Sequence, residues 1–74
     1  MSTTVFTNKI LKKMANFGLS ESQVIDAFNK GEVEKWKGLL VSVKKYSGYE
    51  LRVFWKQSPE GKFILLSVNK RKRR

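Results

Sequence analysis

The stretch that decides the fold is "VSVKKYSGYELRVFW", residues 41–55, which is typical of two β-strands joined by a tight turn. β-branched and aromatic residues alternate with polar ones on both sides of the turn, and Gly48 can adopt the left-handed conformation that such a turn requires. A slip of one residue in the pairing exchanges the two faces of a strand. Because a buried, unpaired charge is costly, the register also decides where Arg52 can lie.

Two turns are compatible with this stretch, and they give different registers. A three-residue "YSG" loop makes every pair on one face apolar: Val43 with Leu51, Val41 with Val53, and Leu39 with Trp55. A two-residue Ser47-Gly48 turn would instead place Val43 opposite Arg52. Each large apolar side chain kept out of water contributes roughly 1.5–3 kcal/mol. We therefore predict the three-residue loop.

The remaining sequence supplies two helices and a third strand. Apolar residues recur at helical spacing over residues 5–17, and Gly18 can end that helix. Ser20 followed by Gln23 fits a capping box at the start of a second helix, which ends at Gly31. Strands are expected at 38–45, 49–56 and 62–69, and matching apolar residues pairs Trp55 with Ile64, Val53 with Leu66 and Leu51 with Val68 across the last two. We predict an α+β fold in which a two-helix hairpin packs on a three-stranded antiparallel meander, with one domain at 1–69 and a basic tail at 70–74.

The predicted register leaves one face of the sheet open. Arg52 is expected at its centre between Ser42 and Ser67, because no remaining segment is long enough to cover this face. The alternative is that this face is an ordinary solvated surface, on which Lys44 and Glu50 form a cross-strand pair. At one end, Leu40, Phe54 and Leu65 would form an exposed apolar patch suited to a protein partner. Trp36 is interpreted as a lid over the edge of the core, with an exposed stacking residue as the alternative.

Composition excludes several kinds of site. The 74 residues include no cysteine and no histidine, so disulfides, thiolate zinc sites and histidine acid–base catalysis are absent. There is no glycine-rich phosphate loop and no cluster with metal-ligand spacing, so we expect neither a cofactor nor a metal. Nothing near Met1 resembles a signal peptide, and no apolar run approaches the roughly 20 residues of a membrane span. We expect a cytoplasmic protein.

Charge is the strongest indication of a partner. Sixteen Lys and Arg against six Asp and Glu give a net charge of +10, and such a basic chain favours an anionic partner: a nucleic acid such as RNA, an anionic membrane surface or an acidic protein. Solvated surfaces and a solubilising tail are the alternative interpretation. The candidate phosphate-binding residues lie on the first helix, beside Arg52 and in the tail: Lys9, Lys12, Lys13, Lys44, Lys56, Lys70 and Arg71.

RNA cleavage is compatible with this composition. Attack by the RNA 2′-hydroxyl requires positioning and stabilisation of the charge that develops on the phosphate, and it needs no metal. Arg52 would stabilise that charge, and Tyr46 or Tyr49 would position the sugar or transfer a proton. A metal-independent endoribonuclease is therefore one hypothesis. The alternative is a noncatalytic module that binds a protein through the open sheet face.

The segment "FTNKILKKMANFGLSESQV", residues 6–24, resembles the N-terminal signature of small bacterial and phage domains related to the RelE/BrnT-like toxins of toxin–antitoxin systems. Thr7, Met14 and Gly18 fit that signature, and "ELRVFW" and "FILLSVNKRKR" fit its later strands. The resemblance implies mRNA cleavage by basic and tyrosine side chains, and an acidic antitoxin as a protein partner. Lys9 stands where the family has histidine, and Phe17 stands where it has its second arginine.

Overall fold

A computed structural model of the chain describes residues 4–72. Its elements in chain order are β1 (Thr4–Phe6), α1 (Asn8–Phe17), α2 (Glu21–Lys30), β2 (Glu32–Trp36), β3 (Leu39–Tyr46), β4 (Tyr49–Gln57) and β5 (Phe63–Lys72). The strands form one mixed sheet in the order β1-β5-β4-β3-β2, in which β1 is parallel to β5 and all other pairs are antiparallel. The α+β class holds. The predicted three-stranded antiparallel meander is wrong, because β1 and β2 extend the sheet on both sides.

Capping residues define both ends of α1 and the start of α2. Thr7 caps α1, since its Oγ1 accepts a 3.3 Å bond from the Ile10 N–H while also donating 2.8 Å to the carbonyl of Leu65. Gly18 ends α1 in the left-handed conformation with φ 68°. The Ser20 capping box is present at the start of α2. Helix α1 is shorter than predicted because residues 4–6 pair with β5 instead.

The turn between β3 and β4 is the two-residue Ser47-Gly48 turn, and Gly48 has φ 84°. Tyr46 pairs with Tyr49, so the predicted three-residue loop is wrong and β3 is shifted by one residue. The two faces of β3 are therefore exchanged. Val43 lies opposite Arg52, and the even-numbered residues of β3 face the helices.

The pairing of β4 with β5 also differs from the prediction. Phe54 pairs with Ser67 whereas Trp55 pairs with Leu65, so Leu66 is an extra residue in a β-bulge. The predicted pairs of the third strand were Trp55–Ile64, Val53–Leu66 and Leu51–Val68; the observed ones are Trp55–Leu65, Val53–Val68 and Leu51–Lys70. The strand continues to Lys72 and thus includes the first three residues of the predicted tail; residues 73 and 74 lie outside the described range.

The core lies between the helices and one face of the sheet. Helix α1 packs on β5, and α2 packs on β3 and β4. Phe28 of α2 makes edge contacts with the rings of Trp55 and Phe63, at centroid distances of 5.1 and 5.4 Å. The buried apolar residues of this core are Ile10, Met14, Leu19, Val24, Ala27, Leu51, Val53, Trp55, Leu65 and Val68. Within residues 4–72, neither helix has the length and apolarity that crossing a membrane requires.

Candidate nucleic-acid interface

The sheet separates the three residues predicted to cleave RNA. Side chains alternate between the faces of a strand, and Leu51 and Val53 point to the helices, so Arg52 lies on the face away from them. Tyr46 and Tyr49 pair with each other and pack against the core from the helix side. The structure therefore brings the two tyrosines together and leaves Arg52 on the opposite face.

On the helix side, the end of the sheet carries two stacked aromatic rings surrounded by ammonium groups. We call this the tyrosine–lysine cluster, formed by Lys44, Tyr46, Tyr49, Lys70 and Lys72. The tyrosine ring centroids are 5.0 Å apart with an interplanar angle of 13°. Lys44 Nζ lies 5.6 Å from the ring centroid of Tyr46, and Lys70 Nζ lies 5.0 Å from that of Tyr49. Lys72 pairs directly with Tyr49 in the sheet.

Asp26 is the carboxylate beside this cluster, and both of its oxygens already have side-chain partners. The Tyr46 hydroxyl donates a 2.7 Å hydrogen bond to Asp26 Oδ2, and Lys30 Nζ lies 3.1 Å from Oδ1. The hydrogen bond from Tyr46, followed by that from Lys30, lowers the pKa of Asp26. Burial and the bond to Asp26 raise the pKa of Tyr46 above its ordinary value of 10.0. At neutral pH, Tyr46 is therefore a fixed, protonated hydroxyl rather than a general base.

The other predicted phosphate-binding residues are spread over the molecule. Lys9 and Lys12 are exposed on α1, and Lys13 is half-buried there. Lys56 lies toward the opposite end of β4 from the tyrosines, and Arg71 alternates with Lys70 onto the other face. Only Lys44 and Lys70 of the predicted set join the tyrosines. The sequence does not single out Lys72, because the basic run of residues 70–74 lacks the apolar alternation that marks a strand.

The face away from the helices, here called the open face, holds Arg52 in an ion pair. Arg52 Nε donates a 2.9 Å hydrogen bond to Glu50 Oε2, and the Glu50 side chain is 11% exposed. This bond from Arg52 lowers the pKa of Glu50. The alternative Lys44–Glu50 pair is wrong, because Lys45 is the residue that lies opposite Glu50.

The aromatic content of the open face also differs from the prediction. Trp36 belongs to β2, is 51% exposed and contacts the ring of Phe54 at a centroid distance of 5.6 Å. The interpretation of Trp36 as a lid over the core is therefore wrong. The predicted Leu40–Phe54–Leu65 patch does not form either, because Leu40 and Leu65 pack into the core and only Phe54 lies on the open face.

The described residues contain no group of three or more side chains that could hold a metal ion. Comparison of the chain with protein-family models, with characterised proteins and with solved structures finds no match.

Proposed function

We propose that this chain binds single-stranded RNA through the tyrosine–lysine cluster. The observation that carries the proposal is the placement of three lysines around two stacked tyrosines on one face of the sheet. Lysine ammonium groups neutralise backbone phosphates, and aromatic rings stack on the unpaired bases that single-stranded RNA exposes. These are the two kinds of contact that RNA binding without sequence preference requires.

The distribution of charge supports the same surface. Residues 4–72 contain fourteen Lys and Arg and six Asp and Glu, a net charge of +8. By register, the open face carries three carboxylates and four cations, so the excess positive charge lies almost entirely elsewhere. On the helix side, the one carboxylate beside the cluster already has Tyr46 and Lys30 as partners. A polyanion is therefore attracted to the helix side and to the end of the sheet.

The test is a binding titration of a labelled, mixed-sequence single-stranded RNA, followed by fluorescence anisotropy over a series of salt concentrations. With three lysines on phosphates, the logarithm of the affinity should fall with the logarithm of salt at a slope of about −2. Lys44→Glu should lower the affinity about tenfold and make the slope shallower by roughly one phosphate contact.

Lys56→Glu is the matched control, because it makes the same change of charge at the other end of β4. It should leave the salt slope unchanged and weaken binding much less than Lys44→Glu. Equal losses in the two variants would show that RNA responds only to net charge. Absence of binding by the wild-type chain at low salt would overturn the proposal outright.

The proposal concerns binding, and cleavage is measured beside it. Arg52 lies across the sheet from Tyr46 and Tyr49, so these three side chains do not surround one phosphate. We expect labelled RNA to stay intact during long incubation, and Arg52→Ala to leave the affinity of the tyrosine–lysine cluster unchanged. Cleavage that is lost in Arg52→Ala would instead support the endoribonuclease hypothesis and place the reacting phosphate on the open face.

A further inference from the structure

The open face is nearly neutral although the chain is strongly basic. By register, it carries Glu32, Glu34 and Glu50 together with Lys45, Arg52, Lys56 and Arg71. Its net charge is therefore +1, against +8 for residues 4–72. Half of the acidic residues of the chain lie here. Two copies of this chain repel each other least when they approach through this face.

The charges of the open face are also sorted by strand. The carboxylates Glu32 and Glu34 lie on β2 at one edge, whereas Arg71 lies on β5, on the far side of β3 and β4. The central pair, Glu50 and Arg52, is already joined by a hydrogen bond within the face. One side of the face is thus acidic, the other side is basic, and the centre is internally neutralised.

Apolar side chains fill the space between these two sides. Trp36 contacts Phe54 edge to face, and Phe54 pairs across the strands with Val41. Val41 is only 4% exposed even though α1 and α2 both lie on the other face. Trp36, Phe54, Val41 and Arg52 contribute to a shallow groove of about 440 Å³. Exposed aromatic side chains bordered by polar and charged residues are typical of a protein interface.

We propose that a second copy of this chain docks on the open face, so that two sheets pack back to back about a two-fold axis parallel to the strands. Such an axis between β3 and β4 places β2 of each copy over β5 of the other. Glu32 lies level with Val43, Arg52 and Asn69 across the sheet, and Arg71 lies two residues further along β5, a distance of about 6.8 Å. Glu32 is therefore within reach of the partner's Arg71, and the two-fold axis forms this contact twice.

Pairing of two copies through the β2 edge is disfavoured by the same sequence. In an antiparallel two-fold pair, residues of the same sheet face lie opposite each other. If the two-fold axis passes beside Glu34 or Lys35, that residue lies opposite its own copy, and two identical charges meet. If the axis passes beside Val33, Glu32 of each copy lies opposite Glu34 of the other. Like charges directly opposite are destabilising. Face-to-face packing avoids all three of these clashes.

The area of the open face determines how strong a dimer we expect. Four strands spaced about 4.8 Å apart form a surface roughly 20 Å wide. Covering it on both copies buries on the order of 1,000 Å², near the lower limit of specific interfaces. We therefore expect a reversible dimer with a dissociation constant in the micromolar range. Its two tyrosine–lysine clusters would remain accessible, because they lie on the helix sides.

Sedimentation velocity over a micromolar concentration series tests the proposal by a charge swap. Arg71→Glu and Glu32→Arg should each weaken the dimer by about tenfold or more, because each places like charges at two symmetric contacts. The double variant carrying both substitutions should restore association to near the wild-type level. Lys72→Glu is the matched control, since it makes the same change of charge one residue away on the other face.

Phe54→Asp provides a second variant, and circular dichroism with thermal melting confirms that each variant is folded. It should abolish association while the helix and strand signal is retained. The proposal is overturned by a wild-type chain that stays monomeric throughout the series, by single swaps that leave the dimer unchanged, or by a double swap that fails to restore it. RNA affinity measured on the same variants is a separate readout, since Lys72→Glu should weaken it and Arg71→Glu should have a much smaller effect.

Discussion

The indole Nε1 of Trp55 donates a 2.9 Å hydrogen bond to the Oγ of Ser42, a residue with no solvent exposure. The bond joins β3 and β4 on the helix side of the sheet. A buried indole N–H requires an acceptor, and an aliphatic residue at position 42 would leave it without this one. This pair gives a physical reason for a serine in the core.

Ser42→Ala should therefore destabilise the fold by about 1–3 kcal/mol, because it leaves the Trp55 N–H buried without its partner. Urea unfolding followed by tryptophan fluorescence measures the change. Ser67→Ala is the matched control in a neighbouring strand, where the serine faces the open side and makes no side-chain hydrogen bond among the described residues. Equal losses in the two variants would contradict the role of the Ser42–Trp55 bond.

Gly31→Ala should destabilise the protein more than Gly48→Ala. A Cβ at Gly31 would lie 2.5 Å from the carbonyl oxygen of Ala27 and 2.9 Å from that of Val43, so the junction between α2 and β2 would have to move. A Cβ at Gly48 meets nothing within 4 Å, and only its φ of 84° is unfavourable. Denaturant unfolding should show a loss of about 1–2 kcal/mol for Gly48→Ala and about 3 kcal/mol or more for Gly31→Ala. The reverse order would contradict this packing.

Acid should destabilise the protein partly through Asp26. The folded-state pKa of Asp26 is lowered, chiefly by the hydrogen bond from Tyr46. Its contribution to stability is present above the ordinary aspartate pKa of about 3.9, and it is lost as pH falls through the lowered value. Tyr46→Phe should therefore lose less stability than the wild type when the pH is lowered from about 6 to about 3, a range that spans the aspartate pKa.

Glu50 remains as an internal reference in that experiment. The hydrogen bond from Arg52 lowers its pKa in the same direction, so Tyr46→Phe should retain part of the acid sensitivity. Urea midpoints at each pH provide the measurement. Identical acid sensitivity in wild type and Tyr46→Phe would mean that the Tyr46–Asp26 bond does not contribute.

Tyr46 should ionise at a higher pH than an ordinary tyrosine. Burial and the hydrogen bond to Asp26 raise its pKa above 10.0, so its stabilising effect is present below that pH and lost as pH rises through the raised pKa. The chain has only two tyrosines, so Tyr49→Phe leaves Tyr46 as the single phenol. Its ultraviolet titration should have a midpoint above pH 10, and adding Asp26→Asn should lower that midpoint. An unchanged midpoint would contradict the coupling.

The helices could be predicted from sequence because their signals are local. The capping box at Ser20 and the left-handed Gly18 both depend on residues within one turn of the helix. The hairpin register could not be predicted by maximising apolar pairs, because that criterion treats Ser42 as a surface residue. Its burial depends on the indole of Trp55, thirteen positions away.

The outer strands were missed for two different physical reasons. In β1, Phe6 continues the helical spacing of the apolar residues in α1. Its three residues form a strand because they pair with β5, and nothing local to them indicates this. In β2, "EVEKW" carries charges and is exposed at every position, as suits an edge strand, so it lacks the apolar signal of a buried one. The placement of Arg52 away from the core was correct. Phe54 and Ser67 do share the open face with Arg52, as predicted, whereas Ser42 and Lys44 do not, because the faces of β3 are exchanged.

The pairing of β1 with β5 ties the beginning of the described chain to nearly its end. The Thr7 hydroxyl that caps α1 also reaches the carbonyl of Leu65, 58 residues further along the chain. Contacts this distant in sequence carry a loop-closure cost and slow folding. We therefore expect the sheet to close only after β5 has formed, and a chain truncated before residue 65 should remain sensitive to proteases.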